Sequence, residues 1–116
     1  NLTITLQFSN FLLHQHDDQE NVDLLSPLVD EDEVDPQINW NLARSYQRLE
    51  QFDQAGKYFQ AAAPTYQDNQ LFLKELIGFY QETGQREQLL AALHSYLTLE
   101  PADTEMQELL DEYEEF

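Results

Sequence analysis

No cysteine occurs in the 116 residues, and that absence removes a disulfide framework, thiolate metal sites and cysteine nucleophiles together. It fits a reducing compartment, so a cytoplasmic location is the expectation. Glycine is scarce: Gly56, Gly78 and Gly84 are too few and too scattered for a phosphate-cradling loop. Basic residues number 5 against 23 acids, giving a formal net charge of −18 that phosphate backbones and anionic lipids repel. Nucleic acid and membrane are therefore not expected as partners. Long apolar runs are missing too, since Leu2 to Leu13 is broken by Thr3, Thr5, Gln7, Ser9 and Asn10 and is far too short to span a bilayer. The chain opens on Asn1 and not on methionine, which is compatible with a trimmed or mature form or with the C-terminal part of something longer.

Chemistry-bearing constellations are equally thin. The histidines are His14, His16 and His94, none near a strained glycine turn that would present a nucleophile. His14 and His16 stand two apart, which on a helix aims them about 200° from each other and prevents chelation of one ion. The run Asp30-Glu31-Asp32-Glu33-Val34-Asp35 lacks the glycine of a calcium loop and places Val34 among the acids, so it reads as an acidic linker. Glu114-Glu115-Phe116 ends the chain on an aromatic carboxylate, a weak match to tails that cap-glycine-type domains read, and Phe116 packing on Tyr113 is the simpler reading. No enzyme, metal or cofactor is expected.

What is present is a 41% hydrophobic composition, enough for one domain over 1–116, and an uneven charge. Nine acids fall between Asp17 and Asp35 and eight between Glu100 and Glu115, while residues 36–99 hold six acids and all five basic residues. Sliding the chain against itself by 34 residues aligns Leu42 with Leu76, Tyr46 with Tyr80 and Phe59 with Leu93. The same shift places Phe8 under Leu42, Ser9 under Ala43 and Leu25 under Phe59. Three units result, 2–35, 36–69 and 70–103.

Ile38, Leu42, Ser45, Tyr46 and Leu49 share one helical face, and Phe52, Ala55, Tyr58, Phe59 and Ala62 share the next. This spacing predicts a helical hairpin, repeated in the third unit by Leu73, Leu76, Ile77 and Tyr80, then Leu89, Leu90, Leu93, Tyr96 and Leu97. Asp35 before Pro36 predicts a capped helix start, Gly84 a stop, and Pro101 the close of the hairpin. The alternation of Leu2, Ile4, Leu6 and Phe8 with Thr3, Thr5 and Gln7 is also a strand pattern; the repeat frame favours helix. Met106, Leu109, Leu110 and Tyr113 lie on one face of a final helix, 104–116, headed by Asp103 or Thr104.

Leu42-Ala43-Arg44-Ser45-Tyr46, with Ala55, Phe59 and Ala62 beyond, resembles the tetratricopeptide repeat family, whose hairpins carry a Leu-small-x-x-Tyr run and then Ala-x-x-x-Phe-x-x-Ala. The third unit departs with Ile77 and Leu89 in small-residue places, for which Gly78 and Ala92 are on hand to compensate, so its packing is expected to be looser or shifted. The first unit departs further: Ser9 and Asn21 stand where small residues and alanine are usual, and Pro27 is placed to kink or delay its second helix.

The resemblance implies an all-α, right-handed α-solenoid of antiparallel hairpins with a C-terminal capping helix, and a concave wall, made by the first helices, that binds a protein or peptide segment. On that wall it places Asn10, Trp40, Asn41, Arg44, Gln47 and Lys74 as partner-binding residues. Leu6, Leu71 and Glu75, standing where carboxylate-clamping members carry other residues, argue against a chaperone-tail clamp. Two alternatives accompany this reading: an acidic inhibitor or immunity-type protein that holds a basic partner on its negative surface, and a self-associating spacer domain of a longer protein.

Overall fold

In the computed structural model, which describes residues 1–30 and 33–115, seven α-helices follow one another. They are α1 Leu2–His14, α2 Asp18–Leu25, α3 Pro36–Arg48, α4 Phe52–Tyr66, α5 Gln70–Thr83, α6 Arg86–Leu99 and α7 Thr104–Glu114. A 3₁₀ turn, Ser26–Asp30, follows α2, and the described residues contain no strand. Glu31, Asp32 and Phe116, which belong to the expected acidic linker and capping helix, lie outside the described residues. The fold is an all-helical repeat of hairpins.

Each helix that opens a unit is started by an Asn or Asp side chain accepting a first-turn amide that has no helical partner. Asn1 Oδ1 accepts from the Thr3 N–H at 2.8 Å, Asp35 from Gln37 at 2.8 Å, Asn69 from Phe72 at 3.0 Å and Asp103 from Met106 at 3.2 Å. These caps recur at the 34-residue interval of the apolar pattern.

The stops recur as well. His16 (φ 61°), Glu50 (φ 61°) and Gly84 (φ 70°) take the left-handed conformation after α1, α3 and α5. The following amide then reaches back into the last turn, from Asp17 to the Leu12 carbonyl (2.9 Å), Gln51 to Tyr46 (2.9 Å) and Gln85 to Tyr80 (3.0 Å). His16 thus lies beyond α1 and does not share a helix with His14. The N-terminal stretch is helical and not a strand, because Asn1 caps it and Ser9, Leu12 and Leu13 turn one face inward. Pro27 neither kinks nor delays α2; the α-helix ends at Leu25 and the chain goes on as the 3₁₀ turn, since proline has no N–H to continue the ladder.

The chain divides into two compact units, Asn1–Thr65 and Tyr66–Phe116. In the first, α1, α2 and α3 pack on one another, Leu25, Leu42 and Phe59 are fully buried, and Tyr46 and Tyr58 stack with ring centroids 5.6 Å apart. In the second, α6 packs against α5 and α7 around Ile77, Phe79, Leu89 and Leu93. Ile77 and Leu89 are each 1% exposed, so the large residues in the small places fill the core. Gly78 gives no close approach: a Cβ there would meet nothing within 4 Å. Among the described residues no helix is long and apolar enough to cross a membrane.

Candidate functional site

Between them α1 and α3 carry no aspartate or glutamate, in a chain with 23 acids. The two helices lie side by side in the first unit, tied by the Asn41 amide, which donates to Asn10 Oδ1 at 3.0 Å. Each other helix holds at least one acid: Asp18, Glu20 and Asp23 in α2, Asp53 in α4, Glu75 and Glu82 in α5, Glu87 in α6 and Glu105 in α7. The candidate surface is therefore the acid-free strip along α1 and α3.

Beneath the strip lies a polar cluster. Ser9 donates to Asn21 Oδ1 at 2.6 Å; Asn21 donates to Ser45 Oγ at 2.8 Å; Asn41 donates to Ser9 Oγ at 2.9 Å. Ser45 in turn donates to Asp18 at 3.1 Å, and Arg48 closes the group by donating to Asp18 Oδ1 (3.3 Å) and to the Leu13 carbonyl (2.8 Å). Ser9, Asn21, Asn41 and Ser45 are fully buried, and each finds its partners inside the unit, which is what keeps such burial from costing several kcal/mol. Ser9 and Asn21, departures from the repeat pattern when read singly, are each other's partners. The signal that could have paired them was their joint occurrence at the two small-residue places of one unit.

Five of the six sequence-expected residues sit in the first unit. Asn10 is exposed on α1; Asn41 is 0% exposed, with its Oδ1 accepting from Gln37 Nε2 (2.8 Å) and from Arg44 (3.4 Å). Trp40 is 5% exposed, and the Arg44 guanidinium lies 4.2 Å above its ring, a cation–π contact. Gln47 is half-buried farther along α3. The structure thus brings Asn10, Asn41, Arg44 and Trp40 into one connected group, with Arg44 as its charge. Arg48, which shares α3, is engaged with Asp18.

Lys74 belongs to the second unit and is described there. Its Nζ stands 5.6 Å from the centre of the Tyr96 ring, and the Tyr96 hydroxyl donates to Asp103 Oδ2 at 2.7 Å. That hydrogen bond, together with burial, raises the Tyr96 pKa above its ordinary 10.0. The same bond, joined by the Met106 amide, lowers Asp103 below its ordinary 3.8. Asp103 therefore holds the end of α6 and the start of α7 through its two oxygens. Among the described residues no group of three or more histidines and acids is placed to hold a metal ion.

Comparison with known proteins agrees with the hairpin geometry. A family model described as YpiA-like, C-terminal tetratricopeptide repeats matches residues 36–103. The chain is 33% identical over 98 residues to the TPR repeat-containing protein YpiA of Bacillus subtilis (strain 168), a match covering 84% of this chain and 23% of that protein. It thus spans about a quarter of the length of that relative. Repeats of this type generally mediate protein–protein interaction. With its three hairpin units, its recurring caps and stops and a match over more than half its length, the chain belongs to the tetratricopeptide repeat family.

Proposed function

We propose that the chain is a protein-interaction module and not an enzyme, and that it takes a protein or peptide segment along its first helices. The observation that supports this most is the acid-free strip of α1 and α3 in a protein of net charge −18. A segment carrying carboxylates or backbone carbonyls meets attraction on this strip and repulsion elsewhere. Arg44 supplies the charged donor, Asn10 and Gln47 supply amide groups, and Trp40 and Asn41 hold the guanidinium in place from below. Lys74 offers the same chemistry within its own unit, on the first helix of the third repeat. A cytoplasmic location belongs to the same proposal, and the lack of cysteine is compatible with it.

The test is retention of proteins on immobilised wild type and on an Arg44→Glu/Lys74→Glu variant, with equal helical content verified for both. Loss of a specific set of partners from the variant is the expected result; equal retention of every partner would remove the strip from the proposal. Salt separates it from the acidic-face alternative, since a basic partner held by the negative surface is released steeply between low and physiological ionic strength. Partners lost with Arg44 and Lys74 but kept through that salt range fit the strip.

A further inference from the structure

We infer that Asn21, buried in α2 and out of a partner's reach, is a positioning residue for the strip on α1 and α3: it sets which ends of the Asn41 and Asn10 amides face outward. An amide side chain fills its place with either end forward, and only its neighbours choose between oxygen and NH2. In the first unit that choice is made at a distance. The Asp18 carboxylate, which only accepts, takes the hydroxyl proton of Ser45 at 3.1 Å. A serine has one proton to give, so on its other side Ser45 Oγ accepts, and the group 2.8 Å away is the Asn21 NH2. The same NH2 lies 3.4 Å from the backbone carbonyl of Asn41, a second group that only accepts. Asn21 is thus oriented from two sides, with Oδ1 toward Ser9. Ser9 gives its proton to that oxygen at 2.6 Å and is left to accept from Asn41 Nδ2 at 2.9 Å.

The other proton of Asn41 Nδ2 goes to Asn10 Oδ1 at 3.0 Å. Asn41 Oδ1 therefore faces the opposite way, where it accepts from Gln37 (2.8 Å) and Arg44 (3.4 Å). Asn10, whose oxygen is turned to Asn41, presents its NH2. The strip thus meets a partner with donors, an amide and a guanidinium that are both tied to Asn41. Turning Asn41 over would set its NH2 against the guanidinium, donor to donor, and would bring the Asn10 oxygen outward. The chain of bonds runs one way only, because each reversal places two donors or two acceptors face to face among fully buried groups. Ala43 and Ala55, which stand for Ser9 and Asn21 in the second repeat, can transmit nothing of this kind. The orientation belongs to the free chain, whereas the positioning role rests on the strip being the partner surface.

The two are tested separately in the full chain. In isotope-labelled wild type the Asn41 side-chain NH2 protons are expected to show stronger nuclear Overhauser contacts to Ser9 and Asn10 than to Gln37 and Arg44. In Asn21→Ala the pattern should shift toward Gln37 and Arg44. In Ser45→Ala it should stay as in wild type, because the Asn41 carbonyl still orients Asn21. Both variants lose a buried hydrogen bond, so a merely structural role would move them together. Ser9→Ala cuts the chain below Asn21 and decides the matter should Asn21→Ala not fold. A pattern unchanged by Asn21→Ala and Ser9→Ala, or disturbed equally by Ser45→Ala, would overturn the inference. On immobilised protein, the partners lost from Arg44→Glu/Lys74→Glu should be held about threefold or more weakly by Asn21→Ala, and by Ser45→Ala as by wild type. Equal retention by Asn21→Ala despite turned amides would deny Asn21 the positioning role and leave the strip standing. If the Arg44→Glu/Lys74→Glu variant loses no partner, the strip falls and the positioning role with it, whatever the amides show.

Discussion

The two units solve one packing problem with opposite chemistry. Where the first and second helices of a repeat approach, the frame has two facing places: Ser9 and Asn21 in the first repeat, Ala43 and Ala55 in the second, Ile77 and Leu89 in the third. All six residues are essentially fully buried. The Asn1–Thr65 unit holds a hydrogen-bonded polar pair and an alanine pair, whereas the Tyr66–Phe116 unit holds two large aliphatic side chains. The buried polar residues of the described structure, Ser9, Asp18, Asn21, Asn41 and Ser45, all belong to the first unit. One architecture therefore tolerates a wide range of volume and polarity at its closest approach, provided that each hydrogen-bonding group is answered and each volume is filled.

The largest expected effect tests the apolar side of this contrast. Phe79→Ala removes a 1% exposed ring from the second unit and should cost about 3–5 kcal/mol in a urea titration, whereas a cost under about 1 kcal/mol would mean that this core is loosely filled. The polar side is tested by Asn21→Ala, which leaves the Ser9 and Ser45 hydroxyls short of a partner and should cost about 2–3 kcal/mol. Adding Ser9→Ala restores the all-small pairing of the second repeat, so the double variant should be less destabilised than the sum of the singles by about 1 kcal/mol. Strict additivity would show that the pair is not a unit.

Smaller effects probe the punctuation shared by both units. Asn69→Ala removes the amide cap of α5 and should lower stability by about 1 kcal/mol, read by chemical denaturation. Glu50→Gly should raise stability by about 0.5–1 kcal/mol, because glycine adopts the φ of 61° without the strain of a side chain.

The last test is the pH dependence of the second unit. Asp103 has a folded-state pKa depressed below 3.8, so its contribution is present above that value and is lost as pH falls through the folded one. Tyr96 is raised above 10.0, so its contribution is complete below 10.0 and is lost as pH rises through the folded pKa. Thermal melts across pH should show both limbs in wild type. Tyr96→Phe should weaken both limbs, leaving on the alkaline side the share of Tyr80, whose pKa burial also raises; a variant with both limbs intact would detach this bond from the pH response.

Much of the fold was legible because a period of 34 residues shows in apolar side chains that one shift superimposes, such as Leu42 on Leu76. Three of the seven punctuation residues were legible for the same reason: Asp35, Gly84 and, with Thr104 as its alternative, Asp103, whose residue types announce caps and stops. Asn1, Asn69, His16 and Glu50 perform the same tasks at the same interval and went unread. Glutamate is rarely left-handed, histidine somewhat more often, and it is the frame more than the residue type that points to either. The site was less legible. Arg44, Asn10 and Asn41 were placed by the frame, and they do meet; that Asn41 is wholly buried depends on α1 and α2 closing over α3, a long-range event that helical periodicity does not encode.

The Ser9–Asn21–Ser45 cluster has a consequence for how the chain avoids pairing with itself wrongly. Hairpins of one repeat type are near-copies, and an apolar stripe accepts any other apolar stripe, so helices from different repeats can trade places while the protein forms. A cluster of hydroxyls and amides does not accept such exchanges, since each donor left against a leucine or an alanine stays unanswered in the interior. By concentrating these groups in its first unit, the chain marks one member of an otherwise interchangeable series and fixes the order in which its helices are counted.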